Sequence, residues 1–220
     1  PSLFTFNIPD RALNGLMGLV APHAVVRIQG EKRPQFGPVL ITHWGLSGPA
    51  VLKLSAWEAR TLADRNYQFA VQVNWVGEPN EEVAGARLDE VRQVHGKKRM
   101  LNACPFDLPR NLWGHLLDQT GIGREAIWSE LGKKSRNRLL NALLNDVHAV
   151  RGKTTFKEEF VTCGGVALSD VHPTTLESRR APGLHFAGEV LDLDGVTGGF
   201  NFQAAWTTGF LAGQLKSAVR

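Results

Sequence analysis

Cysteine is scarce in this 220-residue chain. Cys104 and Cys163 stand far apart and form no C-x-x-C pair, which excludes a disulfide framework, a cysteine zinc site and a dithiol redox centre. The seven histidines, at 23, 43, 95, 115, 148, 172 and 185, fall at no ligand spacing, so no metal site is expected. No apolar run reaches membrane-spanning length and no secretory signal pattern is present, so a cytoplasmic chain with no membrane partner is expected. A strong charge of one sign is missing too. Twenty-five Lys and Arg against 21 Asp and Glu leave a mild +4. Aromatic residues are 8% with no RNP-like pattern, so nucleic acid is disfavoured as a partner. The basic stretches "HGKKR" (95–99) and "GKKSRNR" (132–138) read as solvated helix faces.

Two catalytic fingerprints are approached and missed. "GIGREA" (121–126) has dinucleotide-fingerprint spacing, but amphipathic "LWGHLLDQT" precedes it where a buried strand is required. It reads as a turn between helices. "GLSGP" (45–49) resembles a hydrolase elbow beside His43, but Pro49 replaces the last glycine. Ser47 reads better as a helix cap, and His43 as a weak acid–base candidate.

What is present suffices for a real core, with 43% hydrophobic residues over this length. Residues 1–79 favour strands: "LFTF", "AVVRIQG", "GPVLITHW" and "YQFAVQVNWV" are β-branched or aromatic runs separated by turn residues. One helix, Pro49–Leu62, is expected among them with Ser47 as N-cap. The extended opening "PSLFTFNIPD", without an initiator Met, reads as the start of a piece of a longer protein.

Residues 80–153 turn helical. Val83, Leu88, Val91 and Val94 mark one buried face, and Leu112, Trp113, Leu116 and Leu117 a second. Leu139, Leu140, Leu143, Leu144 and Val147 mark a third, in a helix expected to run to Val150. From residue 154 to 220 the texture changes again. "FKEEFVTCGGVAL" reads as strand, glycine turn and strand, "GLHFAG" as a short buried strand, and "FNFQAAWTTGFLAGQL" as a helix.

At that last crossing several features agree. Gly188 permits close approach of a ligand, and Glu189 places a carboxylate at the strand end. Gly198 and Gly199 precede a helix whose free N–H groups make an electropositive terminus. Ala205, Gly209 and Gly213 form a small-residue face suited to tight packing.

The segment from "FKEEFVTCGGVALSD" to "TGGFNFQAAWTTGFLAG", with "LITHWGLSGPAVLKLS" (40–55), resembles the BaiN/YhiN-type, aminoacetone-oxidase-like NAD(P)/FAD-dependent flavoproteins. The resemblance implies an α+β fold. A β-rich, barrel-like insert and a small helical subdomain would precede the C-terminal strand–helix portion of a Rossmann-like FAD domain. It implies FAD as cofactor, NAD(P)H as a possible electron donor and a small-molecule substrate. By position, Gly188 and Glu189 would meet the ribityl chain, and Gly198, Gly199, Phe200 and Asn201 the flavin ring. Thr162, Gly164 and Gly165 would line the flavin from the neighbouring turn. Cys163 is a weak catalytic candidate, read first as a small residue in a tight turn. Val161 stands where fumarate reductases carry a substrate histidine, which disfavours fumarate chemistry. No credible G-x-G-x-x-G occurs, so these residues alone are expected to bind FAD weakly or not at all. The alternative is a non-catalytic insert that binds a protein or nucleic acid through Lys133, Lys134, Arg136 and Arg138.

Overall fold

The computed structural model describes residues 1–154 and 161–214 and has a mixed α+β architecture built on two antiparallel sheets. β1 (Thr5–Asn7), α1 (Arg11–Asn14), β2 (Val20–Ala21), β3 (Val25–Ile28), β4 (Gln35–Phe36), β5 (Val39–Thr42) and β6 (Gly45–Ser47) come first. α2 (Pro49–Trp57), α3 (Ala59–Asp64) and β7 (Gln68–Asn74) follow. Then come α4 (Glu81–His95), α5 (Arg110–Gln119), α6 (Lys133–Leu144), β8 (Asp146–Arg151) and β9 (Lys153–Thr154).

One sheet has the order β2-β5-β6-β1-β9 and the other β4-β3-β7-β8. Phe6 meets Phe69 edge-on at 5.0 Å, tying β1 of the first sheet to β7 of the second. α2 packs across strands of both sheets, so the strand region closes into a barrel-like body. Ser55 on α2 locks it there, its Oγ accepting the buried Phe4 N–H at 2.9 Å.

The single helix expected over Pro49–Leu62 is two. Glu58 leaves helical geometry at φ −106°, ψ 16°, so α2 ends at Trp57 and α3 restarts at Ala59. This break turns Ala59 and Leu62 inward while Trp57 faces solvent. Nor is Ser47 the cap; it is the last residue of β6, paired with Leu40. Gly48 occupies the cap at φ 97°, where a Cβ would lie 2.8 Å from the Pro38 carbonyl oxygen. Only glycine makes that turn out of the sheet.

In the helical region α5 and α6 bury the expected stripes, and Trp113 stacks on Trp128 at 6.3 Å. α4 differs from expectation: Ala84, Gly85 and Leu88 face inward, while Val83 and Val94 are exposed. The cause is Arg136 on α6, whose guanidinium lies where a Gly85 Cβ would stand and pairs with Asp89 at 2.9 and 2.6 Å. Arg136 therefore belongs to the packing between α4 and α6.

The helix expected to reach Val150 stops at Leu144. "DVHAVR" becomes β8 instead, with strictly alternating burial that leaves Val147 exposed. Its inward side chains build a polar knot. Buried Asp146 accepts from Trp75 Nε1 at 2.8 Å and Gln119 Nε2 at 3.0 Å, with His148 Nε2 at 2.9 Å. Burial alone would raise the Asp146 pKa, but His148, Trp75 and Gln119 outweigh it and hold the carboxyl below its ordinary range.

The hydrophobic core runs without a break from Phe4 to Val150, through both sheets and α4–α6. Buried Val161, Val171, Leu176 and Leu191 lie outside that cluster. Among the described residues no helix is long and apolar enough to cross a membrane.

Candidate cofactor-binding site

In the C-terminal segment two turns and a helix, α7 (Gly198–Gly213), carry the candidate residues. The turn at 162–165 and the 3-10 turn Gly188–Val190 lie side by side. The backbone N–H of Thr162 donates to Glu189 Oε1 at 2.9 Å. Val166 bridges Leu191 in parallel, donating to the Val190 carbonyl at 2.8 Å and accepting from the Asp192 N–H at 2.9 Å. Gly165, at φ 151°, makes the approach possible, since a Cβ there would lie 2.4 Å from the Val190 carbonyl oxygen. Gly164 also has positive φ. Gly188 donates its N–H to Thr208 Oγ1 at 2.8 Å, which fastens this turn to α7.

The start of α7 has Thr197 as N-cap with no side-chain cap bond, so its first N–H groups stay open to a ligand. Asn201 turns its amide inward. Its Nδ2 donates to the Gly195 and Thr197 carbonyls at 3.0 and 2.8 Å, and its Oδ1 accepts from Gly195 N–H at 2.8 Å. Phe200 stands beside it, exposed. Thus Thr162, Gly164, Gly165, Gly188 and Glu189 meet in one place, linked to α7 through Gly188 and Thr208. Gly198, Gly199, Phe200 and Asn201 form the terminus of the same helix.

"GLHFAG" is not a buried strand. His185 only bridges Glu177, and Leu184 is exposed. Among the described residues the backbone-to-backbone bonds of residues 184–186 reach only Leu176, Ser178 and Ala181, which offer no sheet to join. "FKEEF" (156–160), expected to begin a strand, lies outside the described residues. Among the described residues nothing packs on the small-residue face of α7 at Gly209 and Gly213 either, where a built Cβ has no atom within 4 Å.

His43 falls elsewhere, in the exposed turn between β5 and β6, its ring against Trp44 at 4.1 Å. Thr42 Oγ1 closes that turn by accepting the Gly45 N–H at 3.2 Å. Cys163 is different. It lines a cavity of about 850 Å³ with Phe200 on one side and Lys32, Arg33, Trp57 and Arg60 on the other. Burial pushes the Cys163 thiol up and nearby Asp194 adds to it, so Cys163 is not an activated thiolate at neutral pH. Arg60 is tied to Asp192, both carboxylate oxygens lying 2.7 Å from Nη2. Sequence reasoning missed this wall because its residues are scattered from 31 to 200 and share no motif. Among the described residues no group of His, Cys, Asp and Glu gathers for a metal.

A barrel-like β body with a helical layer, followed by two paired glycine turns fastened to a long helix, defines the class of module. Residues 1–161 match the model of the HI0933-like protein barrel and H2TH domain, and the chain belongs to that family. It is 30% identical over 203 residues to the ribosomal RNA dihydrouridine synthase of Escherichia coli, covering 92% of this chain and 47% of that protein. The enzyme of the same name from Haemophilus influenzae is 28% identical, over 94% of this chain and 48% of that protein. The 3-dehydro-bile acid delta(4,6)-reductase of Clostridium scindens is 31% identical, over 81% of this chain and 43% of that protein. These relatives are enzymes, and the chain spans about half the length of each.

Proposed function

We propose that this chain is part of a flavin-dependent reductase of the BaiN/YhiN kind, using FAD and reduced by NAD(P)H. The observation that carries the reading is that the Thr162–Glu189 pair and the Gly165 approach hold two glycine turns together, while Cys163 of one turn lines the same cavity as Phe200 in the first turn of α7. Those residues fit a flavin. Glu189 is exposed and keeps a second carboxylate oxygen for a ribityl hydroxyl, while Gly164 and Gly188, where a built Cβ meets nothing, leave room for a flat ring. The N–H groups at Gly199 and Phe200 suit a site where negative charge develops on that ring. Bound there, the flavin supplies hydride.

The relatives' names narrow the chemistry. Dihydrouridine formation and delta(4,6) reduction both saturate a carbon–carbon double bond conjugated to a carbonyl. The added pair is one hydride and one proton. Cys163 Sγ, which holds its proton at neutral pH and lines the cavity, is our candidate for the proton. For the substrate we favour a uracil ring of ribosomal RNA, because two relatives matching over more than nine-tenths of the chain carry that name. A small unsaturated ketone is the second reading, favoured by the Clostridium relative.

The described residues form only one wall of such a site. The apolar face of α7, with Phe202, Trp206 and Phe210 all 65–69% exposed, is where we place the remaining flavin-binding half. The test is purification of the complete protein, measurement of bound flavin, reduction by NADH or NADPH, and mass spectrometry of uridine in RNA treated with it. Flavin retention with a two-hydrogen gain on uridine is expected. A complete protein that retains no flavin overturns the reading. The 220-residue chain alone is expected to hold FAD weakly or not at all, and tight stoichiometric retention by it would contradict the one-wall picture.

A further inference from the structure

The cavity beside Cys163 and Phe200 contains an unusual tryptophan. Trp75, Trp113 and Trp128 are fully buried, as indoles with core roles are, whereas Trp57 is 54% exposed. It is not part of an apolar surface. Arg33 lies over its ring at 5.3 Å, and Lys32 and Arg60 line the same cavity. Trp206, the other strongly exposed tryptophan, sits instead among phenylalanines on α7. The two therefore face different kinds of partner.

The charges of this wall sort into paired and open groups. Glu31 is bound by Arg65, and Arg60 by Asp192. Glu58 is buried at the α2–α3 break, and Asp194 lies against Cys163. Lys32 and Arg33 remain exposed and have no carboxylate partner among the described residues. The break at Glu58 presents Trp57 to solvent. An exposed indole flanked by open cations is the arrangement that holds an unpaired nucleotide, with the base on the ring and phosphate on the cations.

We propose that Trp57, with Lys32 and Arg33, forms a docking station for an unpaired nucleotide of the RNA substrate, at the cavity that Cys163 and Phe200 also line. This rests on the reading of an RNA uridine as the substrate. Stacking is tolerant of base identity, so Trp57 contributes affinity and placement, while selection of the target uridine happens elsewhere. Arg33, already packed on one face of the indole, holds the ring in a fixed orientation.

The experiment uses the complete flavin-loaded enzyme and a short, labelled, uridine-containing single-stranded RNA, read by fluorescence anisotropy. Trp57→Ala, Trp57→Phe and the double variant Lys32→Ala with Arg33→Ala are compared, each checked for folding by thermal melting. Trp57→Ala is expected to weaken RNA binding about 10-fold or more, and Trp57→Phe to stay within about 3-fold of wild type. The double variant is expected to flatten the log–log salt dependence by roughly one unit. The KM for NADH should not move. A folded Trp57→Ala enzyme with unchanged RNA affinity overturns the proposal. A rise in KM for NADH with RNA binding intact also overturns it and assigns the cavity to the dinucleotide. If RNA binds in a Trp57-dependent way but gains no hydrogen, the station stands and the reductase reading fails. If uridine is reduced and Trp57→Ala changes neither affinity nor KM for RNA, the reading stands and the station fails.

Discussion

The backbone N–H of Thr162 donates to the Glu189 carboxylate at 2.9 Å, joining two turns that lie 27 residues apart in the chain. One carboxylate oxygen thus fixes the position of the neighbouring glycine turn while the other remains available to a ligand. Replacement of Glu189 by Ala removes the Thr162 bond together with the proposed flavin contact. In the complete protein it is expected to weaken flavin binding about 10- to 100-fold, the scale of a charged hydrogen bond. Glu189→Gln keeps an acceptor for Thr162 and should fall between. Titration of the apoprotein with FAD by flavin fluorescence measures both, and equal affinity in all three proteins would remove Glu189 from the site.

Gly165 is the tightest backbone contact in this region, with its φ of 151° and a virtual Cβ 2.4 Å from the Val190 carbonyl oxygen. Gly165→Ala is expected to cost about 1–3 kcal/mol locally, by strain and by parting Val166 from Leu191. Gly164→Ala, where a built Cβ meets nothing, carries only the conformational part of that cost. Limited proteolysis after residue 161 should accelerate more for the 165 variant than for the 164 variant.

Asp146 sets an acid limit on the stability of the barrel body. Its folded pKa is depressed, because three side chains outweigh its burial. Its contribution is therefore fully present above the unfolded value of about 4 and is lost as pH falls through the folded value. Asp146→Ala strands the Trp75 indole N–H and should cost about 3 kcal/mol at pH 7. The difference from wild type should shrink toward pH 3. Urea unfolding at both values checks the sign, and a gap that widens on acidification would contradict it.

The apolar face of α7 leads to a prediction about solubility. Phe202 stacks on Trp206 at 6.0 Å with nothing over them among the described residues. Changing Phe202, Trp206 and Phe210 to Ser should lower the binding of a hydrophobic dye by the 220-residue chain several-fold. In the complete protein the same changes should release flavin. Unchanged dye binding would show that this face is not the exposed surface.

Legibility in the sequence varied with the range of the forces involved. The stripes of α5 and α6 were readable because three- and four-residue spacings map directly onto one helix face. The end of α6 was not, since "NDVHAV" continues an apolar rhythm and only pairing with β7 makes it a strand. α4 misled for a similar reason: Val83 and Val94 point outward, while Leu88 and Val91 keep the expected face and Arg136 occupies the groove at Gly85. Ser47 had a capping residue's chemistry, but β6 claimed it for a ladder and left the cap to Gly48.

By itself, the sequence determined the α+β class, the buried stripes of α5 and α6, and the glycines at 164, 165 and 188. Those depend on local periodicity and on glycine's freedom at positive φ, which are written residue by residue. Only the tertiary structure decided that Thr162 meets Glu189, that Asp146 is held ionised by Trp75, Gln119 and His148, and that Trp57 opens onto the cavity of Cys163. Each depends on side chains brought together from distant segments, and no spacing in the chain encodes such meetings.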